Sequence, residues 1–287
     1  MTERWIDVSA HNGVIDWMKV KASGVVGVVI RAGYGNDISQ RDTQFLNNIK
    51  GALAAGLKVA IYWFSYADSV ADALKEWAAC RQIILPYRGK ILFVASDYEY
   101  DSVNYYRRIH GVVPSNVLIN QMVSTFLTAA KADGWGTALY TNNDYRRTVF
   151  SAATLAVWDI WLADYSGGPD VSCAMQQTGS TGNVPGISGN VDMNTCFKTY
   201  SGSVADPPYS CDTAGTVEIA RGSAYQALIT CNGTPQVVAG TADVATVLHR
   251  YDDGDKHYYF IVPIGRSGQE TGIYINGGAR QFVARVK

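Results

Sequence analysis

No stretch of the 287-residue chain approaches the ~20 consecutive apolar residues that a bilayer-spanning helix needs, which argues against a membrane-embedded protein. The N-terminus, Met1 to Ser9, enters a strand-like pattern at once and lacks the basic and then apolar regions of a secretory leader, so no export signal is visible. An excess of one charge is missing too: 24 Lys and Arg against 25 Asp and Glu leave a net charge of −1. With both signs interspersed there is no basic field for nucleic acid or an anionic membrane, and neither partner is expected. Cysteine is scarce and odd in number: Cys80, Cys173, Cys196, Cys211 and Cys231 form no C-x-x-C pair and have no histidine at ligand spacing. That pattern speaks against zinc and against a disulfide framework, and leaves most of the thiols as small buried hydrophobes. Two of the four histidines, His249 and His257, lie far along the chain, so a thiol–histidine nucleophile has little support. What the chain does have is apolar content, 47% hydrophobic against 17% charged, enough for a large core in one or two domains and too much for disorder.

The first two hundred residues alternate strand-like and helix-like segments. Trp5 to Ser9 reads as a strand before a helical Ile15 to Ala22, and Val25 to Gly33 as a buried strand before a helical Thr43 to Ala55 that Gly56 ends. Lys58 to Tyr66 precedes a long helix over Val70 to Leu85, and Lys90 to Glu99 precedes a helix over Asn116 to Asp133. Then follow Thr137 to Thr141, a short helical Asp144 to Ser151, Asp159 to Tyr165, Ala174 to Thr178 and Val191 to Met193. Strands alternating with crossover helices imply a parallel sheet, and about eight of them fit a closed α/β barrel. The later helices are short or missing, so the barrel is expected to be irregular on that side.

The run Lys90-Ile91-Leu92-Phe93-Val94-Ala95-Ser96-Asp97-Tyr98-Glu99-Tyr100 is an apolar strand pattern ending in two carboxylates one residue apart. Alternate strand residues share a face, which puts the Cβ atoms of Asp97 and Glu99 roughly 6.5 to 7 Å apart. Paired carboxylates at such a distance are what acid/base cleavage of a glycosidic bond requires. The plain alternative makes Asp-Tyr-Glu the solvated start of a polar loop. In a (β/α) barrel the C-terminal strand ends line the active face. Asp7 after the first strand and Asp192 at the eighth would join the pair there, adjacent to each other because closure sets those strands side by side. Crowded acids raise one another's pKa and keep one protonated, as a general acid must be. Capping or loop hydrogen bonding would account for either Asp7 or Asp192 alone.

These residues, taken with their neighbours, carry a family resemblance. Ile6-Asp7-Val8-Ser9 with His11-Asn12-Gly13 and Ile15-Asp16-Trp17, Ile30 to Gly35, Tyr62-Trp63-Phe64-Ser65-Tyr66-Ala67, Asp97-Tyr98-Glu99, and Val184 to Asn194 resemble glycoside hydrolase family 25 lysozymes over residues 4 to 200. The resemblance implies an N-acetylmuramidase on an irregular β/α barrel, cutting the β-1,4 bond between N-acetylmuramic acid and N-acetylglucosamine in bacterial peptidoglycan. It implies Glu99 as general acid/base, Asp97 as its partner carboxylate, Asp7 and Asp192 as further acids of the site, and Tyr62 as an active-site tyrosine. It also favours retention of configuration by attack of the substrate's own 2-acetamido group, and implies no metal or organic cofactor. The chain departs from the family where Met175-Gln176-Gln177 stands for Trp-Gln-Tyr and Trp63 for a common His. Both departures leave the four acids intact and alter the surface on which sugars stack.

Tyr34, Tyr66, Tyr140 and Tyr165 read either as stacking walls for sugar rings or as core. His11 reads as a hydrogen-bonding partner of a carboxylate or sugar, or as structural in the first loop. Asp164, near the end of the sixth strand, is a second-tier candidate of undetermined facing. A chitinase-like enzyme is the first rival, although the longer Asp-Gly-x-Asp-x-Asp-x-Glu run of that family is absent. A non-catalytic wall-binding protein on a decayed barrel is the second, against which the four acids stand.

Ser201-Gly202-Ser203-Val204-Ala205-Asp206-Pro207-Pro208 reads as a linker, set within 201–212. Beyond it, seven short β-branched and aromatic runs separated by turn residues suggest a small all-β sandwich over residues 213–287. Beside a wall hydrolase such a domain reads as a cell-wall-binding module, with self-association into a homo-oligomer as the other use. Without a visible leader, the expectation is a phage-type endolysin made in the cytoplasm of a bacterial host and acting on the wall after release; a bacterial enzyme exported by another route is the alternative.

Overall fold

The structure, a computed structural model, describes residues 2–200, 209–276, 278 and 280–287. The chain divides into two compact units, the first holding a closed barrel and the second two smaller sheets. Residues 201–208, most of the expected linker, lie outside the described residues.

The barrel is formed in sequence order by β1 (Glu3–Val8), β2 (Gly27–Tyr34), β3 (Lys58–Phe64), β4 (Ile91–Asp97), β5 (Thr137–Asn142), β6 (Asp159–Ala163), β7 (Met175–Gly182) and β8 (Val191–Cys196). Strands β1 to β7 are mutually parallel, whereas β8 runs antiparallel to both β7 and β1. A uniformly parallel sheet is therefore corrected at its last strand. Only residues 183–190 join β7 to β8, and a parallel crossover needs a dozen or more, so a short return forces the antiparallel direction. As a result the start of β8, where Asp192 stands, meets the strand ends of the others.

Helices α1 (Trp17–Ala22), α2 (Phe45–Ala54), α3 (Val70–Ile84), α4 (Tyr100–His110), α5 (Asn116–Ala132), α6 (Asn143–Thr148) and α7 (Ala152–Leu155) fill the connections between β1 and β6. Helix α5 buries Ile119, Met122, Val123, Phe126, Leu127 and Ala130, spaced at three and four residues as one face of a helix requires. Its Phe126 meets Trp77 of α3 edge to face, with ring centroids 5.5 Å apart. Helix α4 was not anticipated. Ser102 is its one buried residue, so it lacks the apolar stripe by which such helices are recognised. Inside the barrel, Trp5 stacks on Phe93 with centroids 6.4 Å apart, among Val29, Ala60, Ala95, Ala138, Trp161 and Met175. Gly27, the register partner of Trp5, makes room for that indole: a Cβ there would lie 2.3 Å from it.

The second unit is a sandwich. One sheet orders β10 (Gly215–Ile219), β16 (Arg280–Val286), β15 (Glu270–Ile275) and β12 (Val237–Ala239); the other orders β13 (Ala245–Asp253), β14 (Lys256–Pro263), β11 (Tyr225–Thr230) and β9 (Ser210–Cys211). Ile219, Ile273 and Phe282 of the first share one core with Ala227, Ile229 and Ile261 of the second. The strand beyond the seven expected is β9, whose two residues are too few to show alternation. No described helix is long and apolar enough to cross a membrane.

Candidate active site

All four expected acids line one polar cavity of 440 Å³ at the barrel mouth. Asp7 lies inside β1 rather than after it, and it is the Cα partner of Asp192 across the β1–β8 seam. Its Oδ2 accepts from Gln177 Nε2 at 2.9 Å and from Asn194 Nδ2 at 2.7 Å. Asn194 is held in turn by the Trp161 indole, whose Nε1 donates to its Oδ1 at 2.7 Å. The Asp7 and Asp192 carboxyls also hydrogen-bond each other. Burial foremost, then the charge of Asp192, pushes Asp7 up to about 8, despite the two amide donors. Asp192 is itself raised by burial, an effect the hydrogen bond from Asp7 opposes. One proton shared by the pair and seated on Asp7 satisfies both directions.

Asp97 closes β4, and Glu99 is the N-cap of α4 rather than a strand residue. The backbone of Glu99 is still extended, at φ −140° and ψ −162°, so the alternation continues one step past the strand. Tyr98 is buried in the core while both acids face the cavity. The Glu99 N–H donates to Ser102 Oγ at 3.1 Å, which fixes the turn into the helix. Asp97 is buried, and its Oδ1 has no hydrogen-bond partner among the described residues. Burial first, then the charges of Glu99 and Asp7, holds its pKa well above the ordinary carboxylate range, with Arg31 acting the other way. Glu99, half-buried, is raised by desolvation and then by Asp101 and Asp192.

Tyr62, Tyr140, Tyr165 and His11 line the same cavity. Burial, followed by the charge of Asp7, raises the Tyr62 phenol well above its ordinary value, so it stays protonated and able to donate. Gln177 is the hub of this wall, since its Oε1 accepts from Tyr140 at 3.1 Å and from Tyr165 at 2.7 Å while its amide holds Asp7. Tyr34 and Tyr66 are placed elsewhere, in a neighbouring cavity of 560 Å³. Asp164 turns into its own loop, accepting from Ser166 and Asp170, and does not line the acidic cavity.

Sequence reasoning passed over Arg31, Gln177 and Asn194. Arg31 lines the cavity and is pinned by Asp42, whose Oδ2 accepts from its Nε at 2.7 Å. Its place in the Ile30 to Gly35 motif was the available signal. Gln177 stood out only as a departure from a family pattern, and Asn194 only as the end of the Val184 to Asn194 motif.

A family model for glycosyl hydrolases family 25 matches residues 6–187, which run from β1 to the loop before β8 and include Asp7, Asp97 and Glu99 but not Asp192. The chain belongs to that family. Its barrel is similar to that of the modular autolysin LytC from Streptococcus pneumoniae, at 23% identity and a TM-score of 0.59, covering 68% of this chain and 47% of that one. The family 25 chain thus spans about half the length of that autolysin. It is likewise similar to a bacterial lysozyme from Streptomyces coelicolor, at 22% identity and a TM-score of 0.57, covering 69% of this chain and 93% of that one. A third solved structure, the CTP1L endolysin, is 19% identical with a TM-score of 0.53, covering 77% of the family 25 chain and 74% of its own. Among curated proteins none matches.

Proposed function

We propose that this family 25 chain is a lysozyme that cuts the β-1,4 bond between N-acetylmuramic acid and N-acetylglucosamine in bacterial peptidoglycan. The observation that carries this reading is the gathering of Asp97 and Glu99 with Asp7 and Asp192 in one polar cavity at the barrel mouth. The acetamido N–H of a bound sugar supplies a donor to the Asp97 carboxyl, which lines that cavity. Accepting it favours the ionised form of Asp97 and leaves the proton on Glu99. Glu99 then delivers that proton to the glycosidic oxygen as the acetamido carbonyl oxygen attacks C1, and the C1–O bond breaks with the leaving sugar departing as its alcohol. The positive charge of the resulting ring is stabilised by the Asp97 carboxylate. Water attacks C1 from the vacated face, gives its proton to the Glu99 carboxylate, and reopens the ring with net retention. Asp7 and Asp192, sharing one proton, keep a negative field at the mouth that holds the Glu99 proton in place.

The C-terminal sandwich serves as a wall-binding module that raises local enzyme concentration on an insoluble substrate. The protein is made in the cytoplasm of a bacterial host and acts on the wall after release. Digestion of purified peptidoglycan, followed by reduction and mass analysis of the new ends, tests the reaction. Reducing-end muramic acid without new peptide termini is expected. Reducing N-acetylglucosamine would mean a glucosaminidase, and cleaved peptides would remove the glycosidase reading.

A further inference from the structure

Tyr34 and Tyr66, two tyrosines expected to flank a sugar, form instead a second cavity with Tyr105, Arg108, Asp101 and Asp72. It sits over the ends of β2 and β3 and along one face of α4 from Asp101 to Arg108, and it is larger than the cavity that holds the acids. We propose that this cavity binds the stem peptide carried by the muramic residue under cleavage, with Arg108 taking a peptide carboxylate; the proposal rests on the lysozyme reading above.

Three observations carry it. The walls are set before any ligand arrives. Gly35, at φ 67°, turns the chain after β2 so that its N–H donates to the Phe64 carbonyl at 3.2 Å while its own carbonyl accepts the Trp63 indole at 3.0 Å. Asn36 Nδ2 donates to Asp72 at 2.6 Å, and Glu76 accepts the Tyr66 N–H at 2.7 Å, fixing the opposite side.

The chemistry of the lining suits a charged peptide better than a neutral sugar. Sugar stacking needs an open aromatic face, yet here Tyr34 meets Tyr66 edge-on at 89°, Tyr66 leans on Tyr105 at 45°, and the Arg108 guanidinium lies over the Tyr105 ring at 5.2 Å. Arg108 has no ion pair, and Asp101 has no hydrogen bond or ion pair through its side chain, among the described residues. A guanidinium held on an aromatic face and a free carboxylate seven residues before it on one helix offer a site for one anionic and one cationic group. A stem peptide with a diamino acid carries both charges, whereas a glycan strand stripped of its peptides keeps the lactyl carboxylate of muramic acid and has no cation.

The distance also fits. Phe64 lines the acidic cavity, and its ring lies 5.1 Å from that of Tyr66, which lines the second. The two cavities are thus separated by one aromatic wall, roughly 10 Å across with its rings, a span that about three extended residues cover.

The test compares kcat/KM on peptidoglycan glycan strands bearing stem peptides with kcat/KM on the same strands stripped of peptides by an amidase. The wild-type chain is expected to favour the peptide-bearing strands by about tenfold, and Arg108→Gln to lower that ratio at least fivefold, with Tyr105→Ala acting in the same direction. Arg108 is exposed, and an unchanged melting temperature checks that the variant folds. Equal rates on the two substrates in the wild-type chain would overturn the inference and leave the lysozyme reading standing. An equal fall on both substrates in Arg108→Gln would also overturn it, marking the cavity as a saccharide site. If the wild-type chain cleaves neither substrate, the lysozyme reading fails and the inference fails with it.

Discussion

Asp97 and Glu99 are two carboxylates two residues apart in different surroundings. Asp97 is buried with an oxygen that has no donor among the described residues, while Glu99 is half-buried at a helix start and its pKa is raised. Glu99→Gln removes the transferable proton and little bulk, so turnover on purified walls should fall about 10²-fold or more with the melting temperature preserved. Retention of more than about a tenth of wild-type turnover would make the acid assignment wrong. Asp97→Asn should be comparably severe. The pH profile offers a second check. A raised pKa keeps Glu99 protonated to higher pH, and activity is lost as pH rises through it. Asp192 contributes to that rise, so Asp192→Asn should move the basic limb of kcat/KM to lower pH while lowering activity less than Glu99→Gln does. A limb that stays in place would show that Asp192 does not act on Glu99. At this scale the acids were legible because strand alternation depends on residue spacing alone. Tyr34 and Tyr66 were not, because each sits where a strand gives way to a loop whose direction the sequence leaves open.

Elements hold those residues in place, and the α3–β3 junction shows how. Glu76 of α3 is fully buried and accepts from Ser65 Oγ at 2.6 Å and from the Tyr66 N–H at 2.7 Å, tying the helix to the end of β3. Burial outweighs these donors and pushes its carboxyl from 4.5 up to about 8. A folded-state pKa above the unfolded one means that folding takes up a proton. The stabilisation is complete below the unfolded value and is lost as pH rises through the folded one. Asp7, also raised to about 8, acts in the same direction. The melting temperature should therefore fall from about pH 5 to about pH 8, and Glu76→Gln should flatten part of that slope. A slope unchanged by Glu76→Gln would mean that the carboxyl does not titrate in this range. Element legibility followed apolar patterning. The striped α5 was readable, the polar α4 was not, and the direction of β8 was set by an eight-residue connection whose shortness the alternating pattern of the earlier strands obscured.

The whole molecule joins a closed barrel to a sandwich with a core of its own, Ile219, Ile229, Ile261, Ile273 and Phe282 among its members. A unit with its own core folds alone when few contacts cross its boundary, so residues 1 to 203 should fold and keep catalysis, and residues 210 to 287 should fold separately. If the sandwich supplies wall binding, removing it lowers the local concentration of enzyme on an insoluble substrate without touching the acids. Truncation should then reduce lysis of intact cells much more than cleavage of soluble glycan fragments. The isolated sandwich should sediment with wall sacculi and scatter light as a monomer. A stable dimer that does not sediment would replace wall binding with self-association, and an equal loss on both substrates would mean that the barrel depends on the sandwich for its fold.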